Sequence, residues 1–223
     1  MESKTHLESI VKKNDTMILI LYLVIFNLIW VLKELWLVQY INPLGDVISA
    51  FLNALIKISV WIVPVWLYIK FYLHTNPIKY LKMNINIKKG LFLGLFLSLL
   101  LGLYFAFEVY ILNDQSFNFN LSLGNYLNGI LLVGITEEIV FRGLILQELN
   151  KRLAFWKANI ITSLLFLIVH YAIWIYEGVF FDWWSHIYVF LIGFIFGVVY
   201  KKTGSFWSVV ILHSFHNLFV SMV

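Results

Sequence analysis

Glu137 and Glu138 are adjacent in the run Leu131-Leu-Val-Gly-Ile-Thr-Glu-Glu-Ile-Val-Phe-Arg142, where most neighbours are apolar. A charged side chain in the middle of a membrane helix costs about 3 kcal/mol on the lower scales, so it is kept where it has partners or performs chemistry. Glu138 and Arg142 are four residues apart and share a helix face, acid before base, which is the favourable order. Glu137 is turned about 100° from that face and uses Arg142 less directly. One carboxylate is therefore tied and the other freer. A freer carboxylate in low dielectric can take a proton from water, which makes Glu137 the candidate general base.

Two further runs carry groups that suit the same chemistry. His170 closes Ser163-Leu-Leu-Phe-Leu-Ile-Val-His170, with Phe166 one turn before it on the same face. At 1.5 Å per residue His170 lies ~20 Å into its run, near the depth expected for Glu137. His213 and Asn217 are four apart and share a face in Ser208-Val-Val-Ile-Leu-His213-Ser-Phe-His216-Asn217. An imidazole and a carboxamide on one face can both donate to one oxygen, as an oxyanion site requires. His216 is read as a supporting or packing residue beside them. The alternative for the whole set is a buried polar network that only fixes helix packing.

These residues need helices to hold them. Of the 223 residues, 61% are hydrophobic and 13% are charged, and the mean hydropathy is +0.87. An average soluble domain carries about 25% charge. The apolar runs approach the ~20 residues needed to cross the hydrocarbon core. The expected fold is an all-α polytopic transmembrane bundle of about seven spans, near 16–37, 47–73, 89–111, 124–149, 156–176, 184–200 and 205–222. Lysines and arginines collect in alternate loops: Lys4, Lys12 and Lys13; Lys79, Lys82, Lys88 and Lys89; Lys151, Arg152 and Lys157; Lys201 and Lys202. Such loops stay in the cytoplasm, which predicts a cytoplasmic N-terminus and an outer C-terminus. No signal peptide is visible at the N-terminus.

There is no cysteine, which excludes disulfides and thiol chemistry. The net charge of +4 comes from loop lysines and gives no argument for nucleic acid. Pro64 is expected to kink the second span. Lys57, about ten residues into that span, is expected to snorkel, to pair with an acid or to mark a later helix start. Gly90, Gly94, Ser98, Gly102 and Ala106 in the third span, and Gly193 and Gly197 in the sixth, have the spacing of close helix packing, with a gate or dimer seam as the alternative. Phe180, Phe181, Trp183 and Trp184 read as an interfacial belt, and Tyr171 and Trp174 as packing residues.

Through Glu137, Glu138 and Arg142 (Glu-Glu-x-x-x-Arg), Phe166 and His170 (Phe-x-x-x-His), and His213 and Asn217 (His-x-x-x-Asn), the chain resembles the CAAX-protease and bacteriocin-processing (CPBP, Abi) intramembrane endopeptidases. The resemblance covers about residues 120–220. It implies a catalytic core over 120–223, preceded by three spans over 1–119, and a peptide or membrane-protein substrate within the lipid bilayer. It makes Glu137 and His170 the activators of a water, and His213 and Asn217 the stabilisers of the oxyanion, in agreement with the reading of the residues themselves. No cofactor is favoured. Zinc on Glu137, His170 and His213 is the alternative, although no His-Glu-x-x-His helix is present. The family setting and small size point to a bacterial plasma membrane. The competing functions are a non-catalytic bacteriocin-immunity or peptide-binding protein and a proton-coupled carrier that uses the two glutamates as a relay. The oligomeric state and the substrate are not legible.

Overall fold

The computed structural model describes the backbone of residues 2–223 and the side chains of residues 16–223. The expected cluster of Lys4, Lys12 and Lys13 lies outside the described side chains. The fold is all-α, with no strand among the described residues.

Among the described residues five helices are long and apolar enough to cross a membrane: α1 (Thr16–Leu44), α2 (Asp46–Tyr72), α3 (Ile87–Leu112), α5 (Phe155–Glu177) and α6 (Trp183–Thr203). Two more complete the bundle. The helical run α4 (125–150) carries Glu137, Glu138 and Arg142, and α7 (Phe206–Met222) is shorter. This is a multi-pass membrane protein.

The first helix is longer than the hydropathy pattern suggests. It passes residue 37 and stops only before Gly45, which has φ +88°. That backbone suits glycine and lets α2 begin at once. Pro64 does not break α2. A wide turn over Ile58–Ile62, with Val63 N–H donating to Ile58 O, precedes it. An i→i+5 turn of this kind is a known way to fit an irregular residue into a helix. The segment expected as a loop near 74–88 contains a helical turn, Pro77–Tyr80. It is anchored to α4: Tyr80 hydroxyl donates to Glu148, and Gln147 Nε2 donates to Tyr80 O at 2.9 Å.

Packing bears out the small-residue stripe of α3. Gly94 faces α7, where an added Cβ would lie 3.0 Å from Ile211 Cβ and 3.1 Å from Ser208 O. Small residues at this spacing let two helix backbones approach in lipid. On the other side of the bundle, Trp61 of α2 is fully buried. Its ring meets Phe26 and Trp30 of α1 edge-on at 4.8 and 5.0 Å, and Phe141 of α4 at 6.0 Å. Aromatic pairs of this geometry add to the area they bury. Trp61 thereby joins the first two helices to α4 close to the glutamates.

Candidate active site

The α4 backbone is regular only in part. Over Asn125–Leu132 and again over Ile139–Ile145 its turns widen to i→i+5 bonding. The ordinary α-helical piece between them is Val133–Glu138, which ends on the two glutamates. π-type turns are common at functional sites.

Glu138 and Arg142 are both fully buried. Arg142 Nη1 donates to Glu138 Oε1 at 2.9 Å, the i,i+4 pair expected from the sequence. Arg142 Nη2 donates to the carbonyl of Gly193 on α6 at 2.6 Å. The guanidinium also lies over the rings of Phe166 and Phe196, at 4.8 and 5.5 Å from their centroids. Aromatic faces attract a cation that has been stripped of water. Gly193 is part of this seat: a Cβ there would fall 2.9 Å from Phe166 Cδ1 and 3.6 Å from Arg142 Nη2.

Glu138 has a second partner. His213 Nδ1 is 2.8 Å from the same Oε1. The carboxylate accepts, so Nδ1 carries the proton and Nε2 faces elsewhere. Nε2 lies 3.9 Å from Glu137 Oε2. Glu137 Oε1 is 3.8 Å from Lys57 Nζ of α2. Glu137 Oε2 is buried and makes no hydrogen bond to any described residue. The tied and the freer carboxylate are thus Glu138 and Glu137, as their positions on the helix imply.

His170 sits in a break of α5, between Phe155–Ile168 and Tyr171–Glu177. Its Nδ1 is 2.7 Å from the Phe166 carbonyl. That oxygen accepts, so Nδ1 donates and Nε2 keeps its lone pair. The Phe166 ring stands 4.9 Å from the His170 ring and 5.9 Å from the His213 ring. His170, His213 and Asn217 line one cavity of about 250 Å³, together with Phe166, Trp174 and Tyr188. Trp174 packs on His170 and His186, at 5.7 and 4.8 Å, and also walls the cavity.

Asn217 is held from two sides. His216 Nδ1 donates to its Oδ1 at 2.9 Å, and its Nδ2 donates to Gly129 O at 3.0 Å. Tyr188 hydroxyl lies 2.6 Å from His216 Nε2 and donates to it, because Nδ1 already holds the ring proton. The chain Tyr188–His216–Asn217 fixes which way the carboxamide points. One Nδ2 hydrogen remains for a ligand.

Sequence reasoning placed Glu137, Glu138, Arg142, His170, His213 and Asn217 on three runs, and the fold brings those runs together. It missed Tyr188, for which no local signal exists. It also left Lys57 without a named partner, although a lysine deep in an apolar run was the available signal. Among the described residues no group of three His, Asp or Glu side chains converges at the spacing that would hold a metal ion.

Residues 119–219 match the family model described as Type II CAAX prenyl endopeptidase Rce1-like. That segment, a little under half of the chain, is similar to the CAAX-protease (CPBP) family. It contains Glu137, Glu138, Arg142, His170, His213 and Asn217 but not Lys57. The family is one of intramembrane proteases, and the match supports that activity in general terms. A peptide substrate and a lipid surround follow from it. No curated protein and no solved structure matches the chain.

Proposed function

We propose that this CAAX-protease homologue hydrolyses a peptide bond of a membrane-associated peptide or protein by a glutamate-activated water. Glu137 takes a proton from a water steered by His170 Nε2. The hydroxide adds to the scissile carbonyl carbon and the carbonyl π electrons move to oxygen. His213, and Asn217 through its remaining amide hydrogen, stabilise that oxyanion. The intermediate collapses, the C–N bond breaks, and protonated Glu137 returns its proton to the leaving amine. Glu138 and Arg142 hold His213 and the helix in place.

The observation that carries this reading is the approach of His213 Nε2 to Glu137 Oε2 at 3.9 Å, beside a carboxylate oxygen without a hydrogen-bond partner among the described residues. A free base and a second polar group at that spacing can both reach one reacting group that sits beside them, about 3 Å from each. The family name supports a substrate cut near a C-terminal CAAX sequence. The cavity lining of Phe166, Trp174, Val189, Ile192 and Val220 suits apolar side chains at the cleavage position. The distribution of loop lysines supports a cytoplasmic N-terminus, and small size with the family setting supports a bacterial plasma membrane. Residues 120–223 then form the catalytic core, preceded by three spans within 1–119.

The test is cleavage of fluorogenic membrane peptides in liposomes, with and without a prenylated C-terminal cysteine motif, by wild type and by Glu137→Gln. Wild-type cleavage that survives a strong chelator and disappears in Glu137→Gln is expected. Persistence of full activity in Glu137→Gln would overturn the proposal. Cleavage lost to chelator and restored by zinc would move His170 and His213 to ligand roles.

A further inference from the structure

A second cavity, of about 380 Å³, lies between α1, α2 and α4. It differs in chemistry from the first. Along α2 it is lined by Asp46, Ser49, Asn53 and Lys57, which repeat on one helix face. From α4 it receives Asn125 and Asn128. The two polar stripes are stitched together: Asn128 Nδ2 donates to Ala50 O at 2.9 Å, and Lys57 Nζ donates to Asn128 O at 3.4 Å. From Asp46 at the helix start to Lys57 the stripe runs ~16 Å at 1.5 Å per residue.

Three buried acceptors on this wall have no hydrogen-bond partner among the described residues: Glu34 Oε2, Asn53 Oδ1 and Asn128 Oδ1. Glu34 is only 5% exposed. An unsatisfied buried acceptor costs about 1–3 kcal/mol, and water in a polar space large enough to hold it removes that cost. The floor of the cavity is Lys57, 3.8 Å from Glu137 Oε1. The partition from the catalytic cavity is thin. Asn217 lines one side and its amide donates to Gly129 O, and Gly129 lines the other.

We infer that this seam is a hydrated shaft that supplies the hydrolytic water to Glu137 from the membrane surface, on the side opposite the aromatic cavity that receives the peptide. The inference rests on the reading of Glu137 as the base. It separates the two reactants: the apolar chain enters through aromatic walls, and water descends a polar stripe and meets it at the carboxylate. Nearby charged groups are Lys33 and Glu34 of α1, paired at 3.0 Å, Asp46 and Lys57 of α2, and Glu137 of α4.

The chain has no cysteine, so a single introduced thiol reports its own surroundings. Ser49→Cys and Asn53→Cys in proteoliposomes should react with a charged thiosulfonate that cannot enter lipid. Phe51→Cys and Leu55→Cys, at the same depth on the face exposed outside the bundle, should not react. Charged modification of Asn53→Cys should lower kcat several-fold with KM unchanged. Reaction at Ser49→Cys but not at Asn53→Cys would mean that the shaft closes above Lys57, and overturns the inference. So would complete modification of Asn53→Cys that leaves kcat unchanged. Thiol reactivity does not depend on proteolysis, so failure of the shaft and failure of the glutamate mechanism give different results. Size-exclusion profiles of each variant report folding.

Discussion

His213 donates through Nδ1 to Glu138 Oε1 at 2.8 Å, and this one bond decides which of its nitrogens faces Glu137. Adjacent acids consequently have different tasks. Glu138 serves Arg142 and His213, both buried, whereas Glu137 meets its neighbours at nearly 4 Å. Substituting the two should separate folding from chemistry. Glu138→Gln leaves the fully buried Arg142 cation without its acid, and breaking such a pair costs about 3–5 kcal/mol. Thermal unfolding in detergent should therefore drop well below wild type. Glu137→Gln should unfold close to wild type while cleavage is lost. Equal unfolding midpoints for the two variants would contradict this division.

Tyr188→Phe removes the donor to His216 Nε2 and nothing larger. His216 can then turn, and Asn217 loses the partner that orients its carboxamide. Loss of a hydrogen bond that leaves a buried partner unsatisfied costs about 1–3 kcal/mol. The expected reading is a several-fold lower kcat, a nearly unchanged KM and an intact fold. A change confined to KM would place Tyr188 in substrate binding instead.

Gly193→Ala inserts a methyl group 2.9 Å from Phe166 Cδ1. The ring must shift, and with it the surface against which Arg142 rests. Overpacking of this kind costs about 1–3 kcal/mol. Lower unfolding temperature together with reduced cleavage is expected. A full-activity Gly193→Ala would show that Phe166 yields without disturbing the histidines.

Asp182 precedes α6, accepts from Ser185 Oγ and caps the helix through Trp184 N–H at 3.1 Å. The Ser185 hydroxyl chiefly, and the backbone N–H groups of Trp184 and Ser185, hold its carboxyl below the usual carboxylate range. A carboxyl lowered on folding contributes stability above its unfolded value, near pH 4, and loses it as pH falls through the lower folded value. Asp182→Asn retains a capping oxygen but not this titration. Between pH 5 and pH 3, roughly the window of an ordinary carboxylate, wild type should lose more of its unfolding temperature than the variant. Parallel pH curves would rule the contribution out.

Much of the site was legible because intramembrane charge is rare and helix spacing is rigid. Glu138 and Arg142 could be paired from their spacing alone, and they are paired. Phe166 and His170 likewise share a face, and the imidazole bonds back to the Phe166 carbonyl. Partners from distant helices were not legible. Lys57 was conspicuous, yet only the packing of α2 on α4 shows that it meets Glu137. Tyr188 is one tyrosine among twelve, and nothing near it in sequence marks it. Gly193 was read as packing, which it is, but its carbonyl also accepts from Arg142. Helix ends were less certain, since α1 continues to Leu44 through residues that hydropathy assigned to a loop.

The widened turns of α4 bear on how this chain tolerates insertions and deletions. Each such turn holds one residue more than an α-turn closes. They flank Val133–Glu138 on both sides. A one-residue deletion within Asn125–Leu132 can therefore be absorbed by reversion of that stretch to ordinary helix, with the glutamates kept at their angle to α5 and α7. The same deletion inside Val133–Glu138 has no slack to draw on and swings the acids by about 100°. The helix thus has two elastic joints around a segment whose length is fixed.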